Sequence, residues 1–226
     1  MNKLLCIKGY RVNNQNLLNE VYEKHRVAID ELRKRTPGLS APILIKIPAS
    51  YASQKIKLMV VGQQTQGWGD GGINDLLACY EDFNFGESYY SSPFWNVTRK
   101  IEKILDVQKF AIAWSNLNRC DFNDGRPSYD AENDLALATS SLLLAEIEIL
   151  RPDVVIFFSG PYFDRHIKNI FTGSHFESVQ GFTERELSRV EHELLPLHTY
   201  RTYHPKYLRM SGIEQRFLKY IEKINA

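Results

Sequence analysis

Residues 57–72 read Lys-Leu-Met-Val-Val-Gly-Gln-Gln-Thr-Gln-Gly-Trp-Gly-Asp-Gly-Gly, and this stretch decides the fold. The apolar run 58–61 is too short for a buried helix and carries two β-branched residues, so it predicts a strand covered on both faces in a parallel sheet. Gly62 ends the run. Open α/β sheets bind ligands beyond the carboxyl ends of their strands, which puts Gln63, Gln64, Thr65, Gln66 and Trp68 at the expected mouth of a site.

Working outward, three further apolar runs at 110–115, 154–158 and 194–203 predict strands. Helical pattern fills 13–35, 73–80, 93–105, 131–150, 162–171 and 213–224, with Ser211 as the expected N-cap of the last helix. Residues 43–47 predict a short edge segment. Strand alternating with helix implies an α/β protein, a three-layer α/β/α sandwich around a mainly parallel four-stranded sheet. Residues 1–50 are expected to form an N-terminal helical extension packed on a core unit of residues 51–226. Polar loops follow three of the strands, at 116–124, at Ser159-Gly160-Pro161 and at His204-Pro205.

Twenty-eight Lys and Arg stand against 27 Asp and Glu. The whole molecule therefore offers no global pull on nucleic acid or anionic membranes, and any such attraction is local. Residues 198–226 supply one candidate, with six cations against Glu214 and Glu222. Cys6, Cys79 and Cys120 are too few and too widely spaced for a disulfide framework or a four-ligand metal site, which points to a reducing cytoplasm. His166, His175, His192 and His198 lack metal-type spacing, so no metal is expected, and no cofactor either. Gly67, Gly69 and Gly72 match G-x-G-x-x-G formally but begin five residues after Gly62 rather than at the strand end, which argues against a dinucleotide site. Leu4-Leu5-Cys6 has too short an apolar lead for a lipidation signal, and no run reaches the roughly 18 apolar residues of a membrane span.

Gly62-Gln63-Gln64, Trp68-Gly69, Phe94-Trp95, Asn116 and His204-Pro205-Lys206 with Arg209 follow one another at strand ends and a helix start. In this order and spacing the chain resembles the uracil-DNA glycosylase superfamily over roughly residues 55–224. Gly62-Gln63 is similar to the opening of that family's Gly-Gln-Asp-Pro-Tyr-His motif, and Trp68-Gly69 to the aromatic-Gly ending of the looser Gly-x-Asn-Pro-Gly pattern. Phe94-Trp95 resembles the Phe-Trp of the mismatch-specific branch, and His204-Pro205-Lys206 the family's His-Pro-Ser. Gln64 occupies the place of the water-activating Asp or Asn, Thr65 that of the proline, and Lys206 that of the small serine.

The resemblance implies a base-excision site acting on nucleic acid, DNA ahead of RNA, with no membrane partner. Such chemistry must extrude the nucleotide, read its Watson-Crick edge, stack its face and neutralise charge on the departing base. Gln64 would place the water and His204 would stabilise the leaving base, these two being the catalytic candidates. Gln63, Trp68, Phe94, Trp95 and Asn116 would bind the base, and Lys206 and Arg209 would bind phosphates. A glutamine is no general base, so a second expectation keeps the fold without the cleavage, as a nucleic-acid or nucleotide binding module. Read as residues alone, Gln63 and Gln64 also fit a solvated loop, Phe94 and Trp95 fit core packing, and Asn116 fits a turn. A small-molecule hydrolase has least support, since no Gly-x-Ser-x-Gly elbow exists.

Overall fold

β1 (Leu58–Gln64) starts where the apolar run predicts and continues three residues beyond it. A computed structural model describes residues 13–89, 91–123 and 129–224 of the chain. The Leu4-Leu5-Cys6 stretch and Asp124, at the end of the loop expected over 116–124, lie outside the described residues.

The elements run α1 (Asn14–Arg35), β1, α2 (Ile73–Phe83), α3 (Pro93–Ile104), β2 (Ala113–Asn118), α4 (Tyr129–Leu150), β3 (Val154–Phe157), α5 (Asp164–Ile170), β4 (His175–Ser178), β5 (Leu187–Glu191), β6 (His198–Thr202), α6 (Pro205–Met210) and α7 (Glu214–Glu222). They form one six-stranded mixed sheet in the order β2-β1-β3-β6-β5-β4. The four expected parallel strands are its β2-β1-β3-β6 portion, paired in parallel throughout. The expected sheet of four is corrected to six, because β5 and β4 extend it antiparallel beyond β6. Both lie in a charged stretch, and β4 is largely exposed, so neither announces itself by an apolar run.

Neighbouring residues on a strand face opposite sides of a sheet, and this fixes the layers. On β2, Ser115 Oγ donates to Glu146 Oε2 of α4, whereas Trp114 packs on Tyr80 of α2 and Trp95 of α3. At the end of β3 the same split recurs: Phe157 meets Phe171 just after α5, and Phe158 meets Phe94 of α3 and Phe217 of α7. Helices therefore cover both faces of the sheet. The buried Leu18, Tyr22 and Ile29 of α1 belong to the same hydrophobic cluster as the strands.

A charged network ties α1, β2 and α4 together. The Arg119 guanidinium grips both Glu146 oxygens at 2.7 and 2.6 Å, and the two side chains are 1% and 0% exposed. Tyr22 OH donates to Glu146 Oε1 at 2.9 Å and accepts from Ile45 N. Residues 43–47 are not the expected edge strand. Ile43 N donates to the Arg119 carbonyl and Ile43 O accepts from its guanidinium, so this segment seals the network instead of extending the sheet.

Other boundaries differ from expectation as well, α2 among them, which runs three residues past 80 to Phe83. β2 runs 113–118 rather than 110–115, because Phe110 sits at φ +67° in the turn before it. The last strand is shorter than 194–203, with Leu197 exposed in the turn that precedes it. The helix expected over 162–171 splits into a 3-10 turn at Pro161–Phe163 and α5. Ser211 is the C-cap of α6 and not the N-cap of α7, which is Ile213, since α6 intervenes after His204-Pro205.

Glu102, in the last turns of α3, accepts from Phe110 N and pairs with Arg99, whose guanidinium lies over the Phe110 and Trp95 rings. Burial pushes its carboxyl up to about 7, against the pull of Arg99. Between the ordinary carboxylate value and about 7 the folded chain holds a proton that the unfolded chain releases, so stability is full at the acid end and falls as pH rises through that window. Urea denaturation should show wild type losing on the order of 2 kcal/mol from pH 5 to pH 8 through this group. Glu102→Gln should flatten that slope, and an unchanged slope contradicts the assignment.

Candidate functional site

A cleft of about 840 Å³ opens beyond the carboxyl ends of the parallel strands. The chain leaves β1 toward β2 on one side and later returns to β3 on the other, so the crevice sits where the connections part, the usual ligand position in open α/β sheets. A second cleft, of about 820 Å³, is lined by Ile47, Tyr51, Gln108 and Phe110 on segments that precede strands, and it holds none of the strand-end groups.

Gly62 and Asn116 are direct partners in the β1–β2 register. A Cβ on Gly62 would lie 2.3 Å from Asn116 Oδ1 and 3.4 Å from Phe94 Cε2, so glycine supplies the space into which the carboxamide folds. Asn116 is 2% exposed, and its Nδ2 has no hydrogen-bond partner in the protein. Three more buried polar atoms of lining residues are unpartnered: Thr65 Oγ1, Trp68 Nε1 and Trp114 Nε1. A buried donor without an acceptor costs about 1–3 kcal/mol. All four belong to residues that line this one cleft.

Gln63 Nε2 donates to Ser159 O at 2.7 Å, bridging the ends of β1 and β3. Gln64 follows on the cleft, half-buried, opposite Asn118 in the register. The loop after β1 is anchored through Trp68 N, which donates to Asp121 Oδ2 at 3.2 Å. The Trp68 ring stands edge-on to Trp114 and Phe83 at 5.5 and 5.8 Å. Trp95 is 6% exposed and pressed into the room left by Gly86, where a Cβ would come within 2.2 Å of its ring. Its role is mostly packing behind the wall. Phe94 presents the half-buried ring, 4.9 Å from Trp95 and 5.9 Å from His204.

His204 caps α6: its Nδ1 accepts from Lys206 N at 3.2 Å, which leaves Nε2 to carry the ring proton. Burial, with Lys206 adding, holds its pKa below the ordinary histidine value, so the ring is a neutral donor at neutral pH.

The structure thus gathers Gln63, Gln64, Trp68, Phe94, Trp95, Asn116 and His204 into one cleft. It does not bring Lys206 or Arg209 into the lining. Arg209 Nε donates to Glu214 Oε2 at 2.8 Å, and Lys100 binds the same carboxylate, so Glu214 clasps α3, α6 and α7 together. Arg201 is likewise buried against Asp164, and Arg216 is paired with Glu186, so the three arginines of residues 198–226 are taken up within the fold. Asn116 lies inside β2, two residues short of its end, and not in the loop expected at 116–124.

Phe83, Tyr89, Trp114 and Phe163 complete the wall and are absent from the sequence reading. Trp114 was within reach of it: once β2 extends to Asn118, period two puts Trp114 on the same face as Asn116. His25, by contrast, is held between Val21 O and Ser141 Oγ at the α1–α4 contact. The Cys120 thiol is buried and pushed up to about 12, which suits packing rather than nucleophilic chemistry. Among the described residues no group of three or more metal-ligating side chains comes together, and no helix is long and apolar enough to cross a membrane.

No family model matches the chain, and no curated protein matches it.

Proposed function

We propose that the cleft holds a nucleobase extruded from nucleic acid, on a uracil-DNA glycosylase-like fold, and that the protein hydrolyses the bond between that base and its sugar. The observation that carries this reading is the buried, unpartnered Nδ2 of Asn116, one of the residues lining an aromatic-walled, strand-end cleft. A carboxamide offers a donor and an acceptor side by side, the pattern of a pyrimidine or purine edge. Phe94 and Trp68 supply ring faces for stacking.

In cleavage, the electrons of the breaking C1′–N bond move onto the base, and the Nε2–H of His204 is suited to stabilise the oxygen that gains charge. Water adds to C1′ and its proton passes to solvent, with Gln64 accepting a hydrogen bond to orient that water. The second reading, binding without cleavage, is favoured by one specific observation: among the described lining residues there is no carboxylate, and Gln64 cannot take a proton.

All three tryptophans of the chain line this cleft, so intrinsic fluorescence reads it directly. Titration with deoxyuridine, deoxyinosine and the ordinary deoxynucleosides should give saturable quenching by at least one of them. Asn116→Leu, which removes the edge-reading group while keeping the bulk, should weaken it by roughly tenfold or more. A flat signal with every nucleoside contradicts the pocket.

A further inference from the structure

We infer that the second cleft, on the segments that precede the strands, is a binding site for a small aromatic phosphate monoester. Its volume of about 820 Å³ matches that of the strand-end cleft, and its reading does not depend on the nucleobase proposal. The first turn of α1 lines it with Asn14 and Gln15, beside the N-cap Asn13. That turn holds no acidic residue, so the positive end of a 22-residue helix stands at the cleft with no carboxylate of its own. Two lysines join it. Lys46 is half-buried and pairs with no carboxylate among the described residues. Lys109 reaches Glu87 only at 3.7 Å and places its Nζ 4.3 Å from the centre of the Phe110 ring. Against these cations the described lining sets one carboxylate, the exposed Glu81. An adjoining crevice of about 390 Å³ shares Asn14, Tyr51 and Ala52 and adds Lys57 and Arg151 against Glu148, so cations continue around the start of α1.

A second observation is independent of charge. Tyr51 is 1% exposed, and its hydroxyl is the one buried side-chain polar atom of the described lining that has no hydrogen-bond partner. Leaving such a group unpaired is a cost that a ligand oxygen removes. Phosphate oxygens accept from a hydroxyl, from lysine ammonium groups and from the N–H groups of a helix start alike. A hydroxyl this deeply buried is met by a terminal group, which favours a monoester over the diesters strung along a nucleic acid. The remaining wall is apolar. The Phe85 and Phe110 rings lie within 11° of parallel, 6.2 Å apart, and Ile47, Pro48 and Tyr80 line the same cleft. An inorganic anion has no use for that wall, whereas an aromatic body buries against it.

Calorimetric titration of the full chain with phenyl phosphate tests the site, with inorganic phosphate and phenol as the two halves of the ligand. No tryptophan is among the described lining residues, so heat reads a place that tryptophan emission does not. Wild type should bind one phenyl phosphate at least tenfold tighter than either half. Lys46→Gln should weaken binding roughly tenfold, and Lys46→Arg should keep it within a few-fold of wild type. Tyr51→Phe removes only the unpartnered oxygen, so it should weaken phenyl phosphate by about fivefold or more without lowering the urea midpoint. Asn116→Leu, in the strand-end cleft, should leave the titration unchanged. Phenyl phosphate bound no better than phenol or inorganic phosphate, or bound equally by Lys46→Gln and Tyr51→Phe, overturns the site. A signal that Asn116→Leu abolishes belongs to the strand-end cleft and overturns it as well. Flat tryptophan emission with nucleosides refutes the nucleobase reading alone, so the two proposals fail separately.

Discussion

Replacing Glu146 with Gln should cost the fold about 3–5 kcal/mol, since it leaves the Arg119 guanidinium buried without its counter-charge. Both side chains are essentially sealed from solvent, and Glu146 also receives Tyr22 OH and Ser115 Oγ. One substitution thus disturbs α1, β2 and α4 together. Domains of this kind are stable by only about 5–15 kcal/mol, so a large share of the total is at stake. Chemical denaturation at neutral pH should show the loss directly. Arg119→Met combined with Glu146→Leu should recover much of it, because an apolar pair of similar bulk needs no counter-charge. A loss below about 1 kcal/mol for the single substitution contradicts the network's role. Arg119 stands three residues after Asn116, so the weakened variant should also bind nucleosides less well.

Gly62→Ala should have the largest effect on the cleft itself. The new methyl would sit 2.3 Å from Asn116 Oδ1, a distance no relaxed structure keeps, so the carboxamide has to leave its place. Overpacking of this sort typically costs 1–3 kcal/mol, and nucleoside quenching should fall by roughly tenfold or more. Adding Asn116→Ala should return stability toward wild type by clearing the collision, without restoring binding. Gly62→Ala with normal quenching would mean that Asn116 does not read the ligand.

The four parallel strands and most helices were legible because their signals are local. Residues 58–61 and 154–157 are short, continuous apolar runs, and Pro93 announces α3. β4 and β5 were not, because an edge hairpin half in water follows no apolar pattern and is ordered by pairing with β6. The cleft was legible as a set of strand-end residues, since topology alone sends Gln63, Gln64 and His204 to one end of the sheet. What a sequence cannot carry is the pairing of charges distant in the chain: the arginines of the C-terminal stretch look free until Asp164 and Glu186 are seen beside Arg201 and Arg216. The buried alignment of Trp114 with Asn116 was hidden by a strand boundary misplaced by three residues. Phe83 and Tyr89 come from an aromatic stretch with no periodicity at all.

The measurement that bears most directly on the central claim is base release from labelled single- and double-stranded oligonucleotides carrying uracil, hypoxanthine or a mismatch, scored as abasic sites, with His204→Ala in parallel. The account predicts abasic sites with wild type and a fall of roughly 100-fold or more when the imidazole donor is removed. Oligonucleotides that bind yet stay intact with wild type, and are cut once Gln64→Asp restores a carboxylate, would contradict the hydrolase and leave a protein that reads bases without removing them.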